Sequence, residues 1–194
     1  MKMEMVYYGD PRLRAKGEPV RAFDGELRVY VDDLLETMRA YRGVGLASQQ
    51  VGRALQVAVV DITGIEERPS KMWIGGQPVD PEEHMPLLLI NPELELTKKK
   101  TLGPEGCLSF PTVYADINRS VRVKCTTRTV DGRTFVFEAA GLLGRAVQHE
   151  TDHLHGRLFL DLMNAEDRQA SAAILEGLKR GEIPQIPETE EAEK

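Results

Sequence analysis

A helix that carries its polar chemistry on its apolar face constrains this chain more than any other feature. From Gly141 to Leu154 the apolar residues Leu142, Leu143, Ala146, Val147 and Leu154 recur at helical spacing. Within the same stripe fall His149, Glu150 and His153 of the segment Gln148-His149-Glu150-Thr151-Asp152-His153. Residues four apart share a helix face, so His149 and His153 can hold one ion while Glu150 reaches water on that ion. An H-E-x-x-H pattern also arises on solvated surface helices. Here the stripe turns two imidazoles and a carboxylate inward, where unpaired polar groups are costly and a divalent cation satisfies all three. The pattern therefore reads as a hydrolytic metal site.

The rest of the chain has to build a core around that helix. With 194 residues, 41% of them hydrophobic and 29% charged, it is sized for one globular domain. The stretch from Met1 to Arg14 is broken by Lys2, Glu4, Asp10 and Pro11, and no apolar run approaches the roughly 20 residues that cross a bilayer. Neither a signal peptide nor a membrane span is expected. Cys125 continues the alternation of Val121 and Val123 as a core strand residue, whereas Cys107 sits in a polar, glycine-containing turn. Separate roles in a reducing cytoplasm are expected, not a disulfide. A formal net charge of −6 argues against general binding of DNA or RNA. The basic run Lys98-Lys99-Lys100 reads as a solvated turn between strands.

The periodicities give an α+β order. Asp24 caps a helix whose apolar face is Leu27, Tyr30, Val31, Leu34, Leu35 and Met38, ending at Gly43. Strands follow at Gln56 to Ile62, Leu87 to Ile90 and Val121 to Val130, the last turning at Asp131-Gly132 into a partner through Phe135 and Phe137. Antiparallel strands thus pack around the late helix. Residues 63–85, rich in glycine and proline and carrying Trp73, read as a loop insertion, a lid or an excursion. A catalytic domain over 1–165 is followed by a C-terminal helix over 166–181, capped near Asn164, with Ala170, Ile174 and Leu178 facing the domain. The acidic, proline-bearing stretch 182–194 reads as disordered.

Two imidazoles leave a tetrahedral ion short of a protein ligand, and Cys107 in Glu105-Gly106-Cys107-Leu108-Ser109-Phe110-Pro111 is the strongest candidate. Gly106 permits close backbone approach and Pro111 stiffens the exit. A third segment, Gly43-Val44-Gly45-Leu46-Ala47-Ser48-Gln49-Gln50-Val51-Gly52, lacks the G-K-S/T of a phosphate loop. It reads either as a helix-ending turn or as a loop that exposes backbone to an extended substrate and offers the Gln50 amide as a donor.

These three segments, in this order, resemble the three motifs of the peptide deformylase family. The likeness extends to Tyr8-Gly9-Asp10-Pro11-Arg12-Leu13-Arg14, Leu89-Ile90-Asn91-Pro92 and Gly156-Arg157-Leu158-Phe159, hence to most of the chain up to about residue 165. It implies removal of the N-formyl group from the initiator methionine of nascent chains, with release of formate. It implies Cys107, His149 and His153 as ligands of one Fe²⁺ per chain, where the donor set alone favours Zn²⁺ and where Ni²⁺ or Co²⁺ could substitute. Glu150 is implied as the proton carrier, and Gln50 with the backbone N–H of Leu108 as oxyanion donors. By the same likeness Val44 and Leu142 wall a methionine slot, Gly43 and Glu105 contact substrate, and Gly45 and Gly106 leave room for a peptide to run as an added strand. Asp152 has two readings, a support to the site through Arg119 or Arg145 and a plain surface pair. The acidic tail departs from ribosome docking through a basic tail, so any ribosome contact is transient and lies elsewhere. The alternatives are a zinc endopeptidase, whose third ligand usually follows the motif, and a silent relative that binds N-termini without hydrolysis.

Overall fold

The computed structural model describes residues 1–184. Helix α1, Gly25–Ala40, starts where Asp24 Oδ1 accepts the amides of Glu26 and Leu27 at 3.0 and 3.1 Å, the side-chain cap expected of an aspartate at that position. It ends at Ala40, before Gly43, because Arg42 takes a left-handed backbone conformation with φ 56° and Gly43 N returns to the Met38 carbonyl.

Strands β1 (Gly45–Ala47), β2 (Val57–Val60), β3 (Ser70–Ile74), β4 (Gln77–Val79) and β5 (Leu87–Leu96) come next in the chain. They are followed by β6 (Lys100–Gly106), β7 (Tyr114–Ser120), β8 (Arg122–Arg128) and β9 (Thr134–Ala140). Seven of them form one antiparallel sheet in the order β1-β2-β5-β8-β9-β3-β4, and β6 pairs with β7 in a second sheet. The apolar run of β2 is explained by burial on both faces. Val57 and Val59 pack with α1 residues such as Leu34 and Met38, while Ala58 and Val60 pack with Leu142, Leu143 and Val147. Each fully buried valine is worth about 1.5 to 3 kcal/mol, so the strand is clamped between its two layers. Cys125 is buried in β8, as its alternation predicts. Residues 98–100 are exposed around the β5–β6 connection.

Helix α2, Gly141–Leu154, lies against the large sheet with nearly every side chain buried. Beyond it come α3 (Ala165–Ala170) and α4 (Ala172–Lys179). The single C-terminal helix expected over 166–181 is thus two helices, broken at Ser171. Ala170 is exposed, and Leu175 with Leu178 makes the buried contact in its place. The expected tail lies outside the described residues from 185 onward.

The segment 63–85 is not a loop. It contains the β3–β4 hairpin, which pairs with β9 at the end of the large sheet and buries Met72. It also starts α2. Ala140 has no side-chain oxygen to cap that helix, and the Leu142 and Leu143 amides instead donate to Pro69 O at 3.3 Å and Ser70 Oγ at 3.0 Å. Gly141 is required here, since its φ is +69° and a Cβ would meet the Pro69 carbonyl. Ser70→Ala should lower stability by about 1 kcal/mol, the usual cost of a lost cap. Urea unfolding measures this, and an unchanged midpoint would mean that the cap contributes nothing.

Candidate active site

The turn after β6 carries the thiol to the helix. Phe110 N donates to Cys107 O at 2.8 Å, which folds the chain back directly after Gly106. Cys107 Sγ then stands 3.3 Å from His153 Nε2, and one ligand atom each from Cys107, His149 and His153 lies within 4.8 Å of the others. A thiolate with two imidazoles is a donor set for a divalent transition metal. His149 and His153 are buried, and His153 Nδ1 and Glu150 Oε2 have no hydrogen-bond partner. The orphaned Glu150 oxygen fits a site completed by a cation and its water, and His153 turns Nε2, not the unpartnered Nδ1, toward the thiol.

Glu105 controls the first histidine. His149 Nδ1 donates to Glu105 Oε2 at 3.0 Å, which leaves Nε2 as the ring nitrogen for a metal. The same carboxylate accepts Arg119 Nε at 2.9 Å, Arg119 Nη2 at 3.0 Å and Arg145 Nη1 at 2.9 Å. Burial alone would raise its pKa, but His149 and Arg119 hold it well below the usual carboxylate range. Glu105 borders the cleft, yet its carboxylate is enclosed by these partners. Glu105 thus borders the cleft, as the expected substrate contact requires, while its carboxylate braces His149. Of the two readings of Asp152 the supporting one holds: its carboxylate pairs with Arg119, while Arg145 serves Glu105 and the carbonyls of Ile117 and Thr101. Gln148 bonds to both backbone groups of Ser120 and ties α2 to the end of β7.

Gln50 is aimed by its own loop. Ala47 N donates to Gln50 Oε1 at 2.9 Å, so the amide nitrogen points at Cys107 Sγ (3.4 Å) and Ser109 Oγ (3.3 Å). Glu150 is buried beside it. Burial pushes its pKa up to about 7, against the lowering effect of His149. A carboxyl group poised near neutrality can both take and return a proton.

A cleft of about 310 Å³ opens onto these groups, lined by Gly43, Val44, Gly45, Gly106, Leu108, Leu142 and Glu150 among others. The glycines have a task besides the one expected of them. A Cβ on Gly45 would run into the Glu150 carboxylate, one on Gly106 would meet the Tyr114 ring at 2.8 Å, and one on Gly43 would meet Leu108 at 2.6 Å. They make room for the protein's own side chains before any peptide arrives. Sequence reasoning missed Ala146, Arg42, Arg68 and Tyr114, which also line the cleft. Ala146 could have been found, lying four residues from Leu142 and three from His149 on one helix face.

Glu105→Gln should leave two buried guanidiniums short of a counter-charge and cost about 3 to 5 kcal/mol. Metal affinity should also fall, by about 10- to 100-fold in a chelator competition. Unchanged affinity would remove Glu105 from support of the site.

The comparisons with known proteins agree with this geometry. The family model described as polypeptide deformylase matches residues 2–169. A peptide deformylase of Methylacidiphilum infernorum is 50% identical over 191 residues, covering 98% of this chain and 100% of that one, and one of Acidothermus cellulolyticus is 39% identical over 92% and 89%. Among solved structures, a point mutant of peptide deformylase 1B of Arabidopsis thaliana superposes with a TM-score of 0.80 at 34% identity over 92% of this chain and 90% of that one. The Plasmodium falciparum enzyme gives 0.80 at 28% identity over 92% and 96%. These likenesses set aside the endopeptidase alternative, whose third ligand would follow the helix motif instead of preceding it. This chain belongs to the polypeptide deformylase family, metal-dependent hydrolases that remove the N-formyl group from newly made polypeptides.

Proposed function

We propose that deformylation in this chain is carried by Glu150, with Cys107, His149 and His153 holding one Fe²⁺ and with Gln50 and the Leu108 backbone N–H receiving the developing oxyanion. The observation that supports this most is the buried Glu150 carboxylate, one oxygen unpartnered, beside a thiol and two imidazoles within 4.8 Å of one another. When bound, the ion supplies Lewis acidity that makes water a nucleophile at neutral pH. Glu150 takes the proton of the attacking water and passes it to the departing amine. The Gln50 amide, held by Ala47 N, donates to the oxygen of the formyl group as charge collects there. Val44 and Leu142, with Ala146, wall an apolar slot for the methionine side chain. The choice of Fe²⁺ over Zn²⁺ rests on the family resemblance, and a thiolate-bound ferrous ion should be oxygen-sensitive.

The substrates are then N-formylmethionyl nascent peptides in the cytoplasm. Both cysteines are free, and no described helix is long and apolar enough to cross a membrane. A net charge of −6 supports only transient ribosome contact, not through a basic tail, and no role on DNA.

Formate release from formyl-Met-Ala-Ser by anaerobically purified, Fe²⁺-loaded protein tests the reading, with an unformylated peptide as the protease control. Glu150→Ala should lower turnover by about 10²- to 10⁴-fold. Gln50→Ala should lower it by about 10²- to 10³-fold while retaining metal. Wild-type turnover by either variant would remove that residue from the chemistry. Activity of the Fe²⁺ form should decay in air while a Ni²⁺ form persists; equal decay would point to another metal.

A further inference from the structure

We infer that Ser109 is a positioning residue for the oxyanion donor, its hydroxyl holding one hydrogen of the Gln50 amide so that the other faces the ligand cluster. The inference rests on the deformylation reading above and concerns how the Gln50 donor of that site is aimed. The carboxamide is gripped at both ends. Ala47 N donates to Oε1 at 2.9 Å, while Nε2 lies 3.3 Å from Ser109 Oγ and 3.4 Å from Cys107 Sγ. A primary amide has two N–H donors. The hydroxyl accepts one, and the other points toward the thiol, where it meets the oxygen of a formyl group as charge collects there. Among the described residues Gln50 is the hydrogen-bond partner of Ser109 Oγ. Ser109 is 0% exposed and Gln50 1%, so bulk water does not reach the pair to replace the hydroxyl.

The two residues stand 59 positions apart on separate loops, and the backbone sets the distance between them. Val6 N donates to Gln50 O at 2.8 Å and Tyr8 N to Ser109 O at 2.9 Å, so one short N-terminal segment holds both loops. The Tyr8 ring stacks on Phe110, the residue after Ser109, with centroids 4.8 Å apart. Phe110 N closes the same turn on Cys107 O. Ser109 therefore belongs to a turn that is fixed on both sides. Leu108, whose backbone N–H is the second oxyanion donor of the proposed reaction, immediately precedes it. The turn thus supplies one donor from its backbone and aims the other through its hydroxyl. An amide held at Oε1 alone would keep its partner Ala47 but lose the direction of Nε2. A donor stabilises developing charge best when its orientation is set before the charge appears.

The test is a double-mutant cycle on the anaerobically purified, Fe²⁺-loaded full chain with formyl-Met-Ala-Ser, reading kcat, KM and bound metal for the wild type, Ser109→Ala, Gln50→Ala and the pair. Ser109→Ala should lower kcat about three- to tenfold, the share of one neutral hydrogen bond, with KM and bound metal near the wild-type values. In the Gln50→Ala background the same substitution should cost nothing further, because the group it aims is gone. A role in packing alone would lower activity equally in both backgrounds. Ser109→Gly, which also lacks the hydroxyl, gives the same readings should the alanine variant fold poorly. An unchanged kcat, or the same fall with and without Gln50, would overturn the assignment with deformylation intact. Formate from none of the four proteins would overturn the deformylation reading and this inference together.

Discussion

One carboxylate joins the parts of this molecule that matter for chemistry. Glu105 belongs to β6 of the small sheet, yet its oxygens meet Arg119 from β7, Arg145 from α2 and His149 from the face of α2 that holds the site. A buried carboxylate with four hydrogen bonds is satisfied only in this arrangement, and removal of any partner would strand charge in a poorly solvated interior. The small sheet is therefore held against α2 by the same group that orients the first histidine, and Cys107 arrives two residues later along the chain. Register along β6 sets the distance from thiol to imidazole.

Space around that junction is divided by glycines. Gly45 gives its missing Cβ to the Glu150 carboxylate, Gly106 to the Tyr114 ring and Gly43 to Leu108. Tight packing of a buried base against backbone keeps it dry and raises its pKa, which suits a group that exchanges a proton near neutrality. The β3–β4 hairpin adds a second constraint. Through Pro69 and Ser70 it supplies the start of α2 that Ala140 cannot, so an excursion far from the ligands in sequence holds the helix that bears them.

Much of this was legible beforehand. The stripe of α2, the aspartate cap of α1, the buried run of β2 and the alternation through Cys125 are local patterns of period 3.6 or 2, and each formed as read. The residues Cys107, His149, His153, Glu150 and Gln50 also come together as expected. The misses share a cause. Lys100-Thr101-Leu102-Gly103-Pro104-Glu105-Gly106 carries glycine and proline and little β-propensity, yet it is a strand because β7 pairs with it across seven residues. The glycines and prolines of 63–85 likewise hid a hairpin whose existence depends on β9 as a neighbour.

The sequence by itself determined the helix motif, the donor types available to a metal and the apolar periodicity that forces those donors inward, because these depend on residue identity and spacing within one segment. Tertiary structure alone decided the partners of those groups. That Glu105 braces His149, that Asp152 meets Arg119, that Gly45 shelters Glu150 and that Arg68 reaches across to β6 all follow from contacts between residues from 33 to 105 positions apart. Long-range pairing of buried charge is set by how the layers pack, and no periodicity within a segment carries that information.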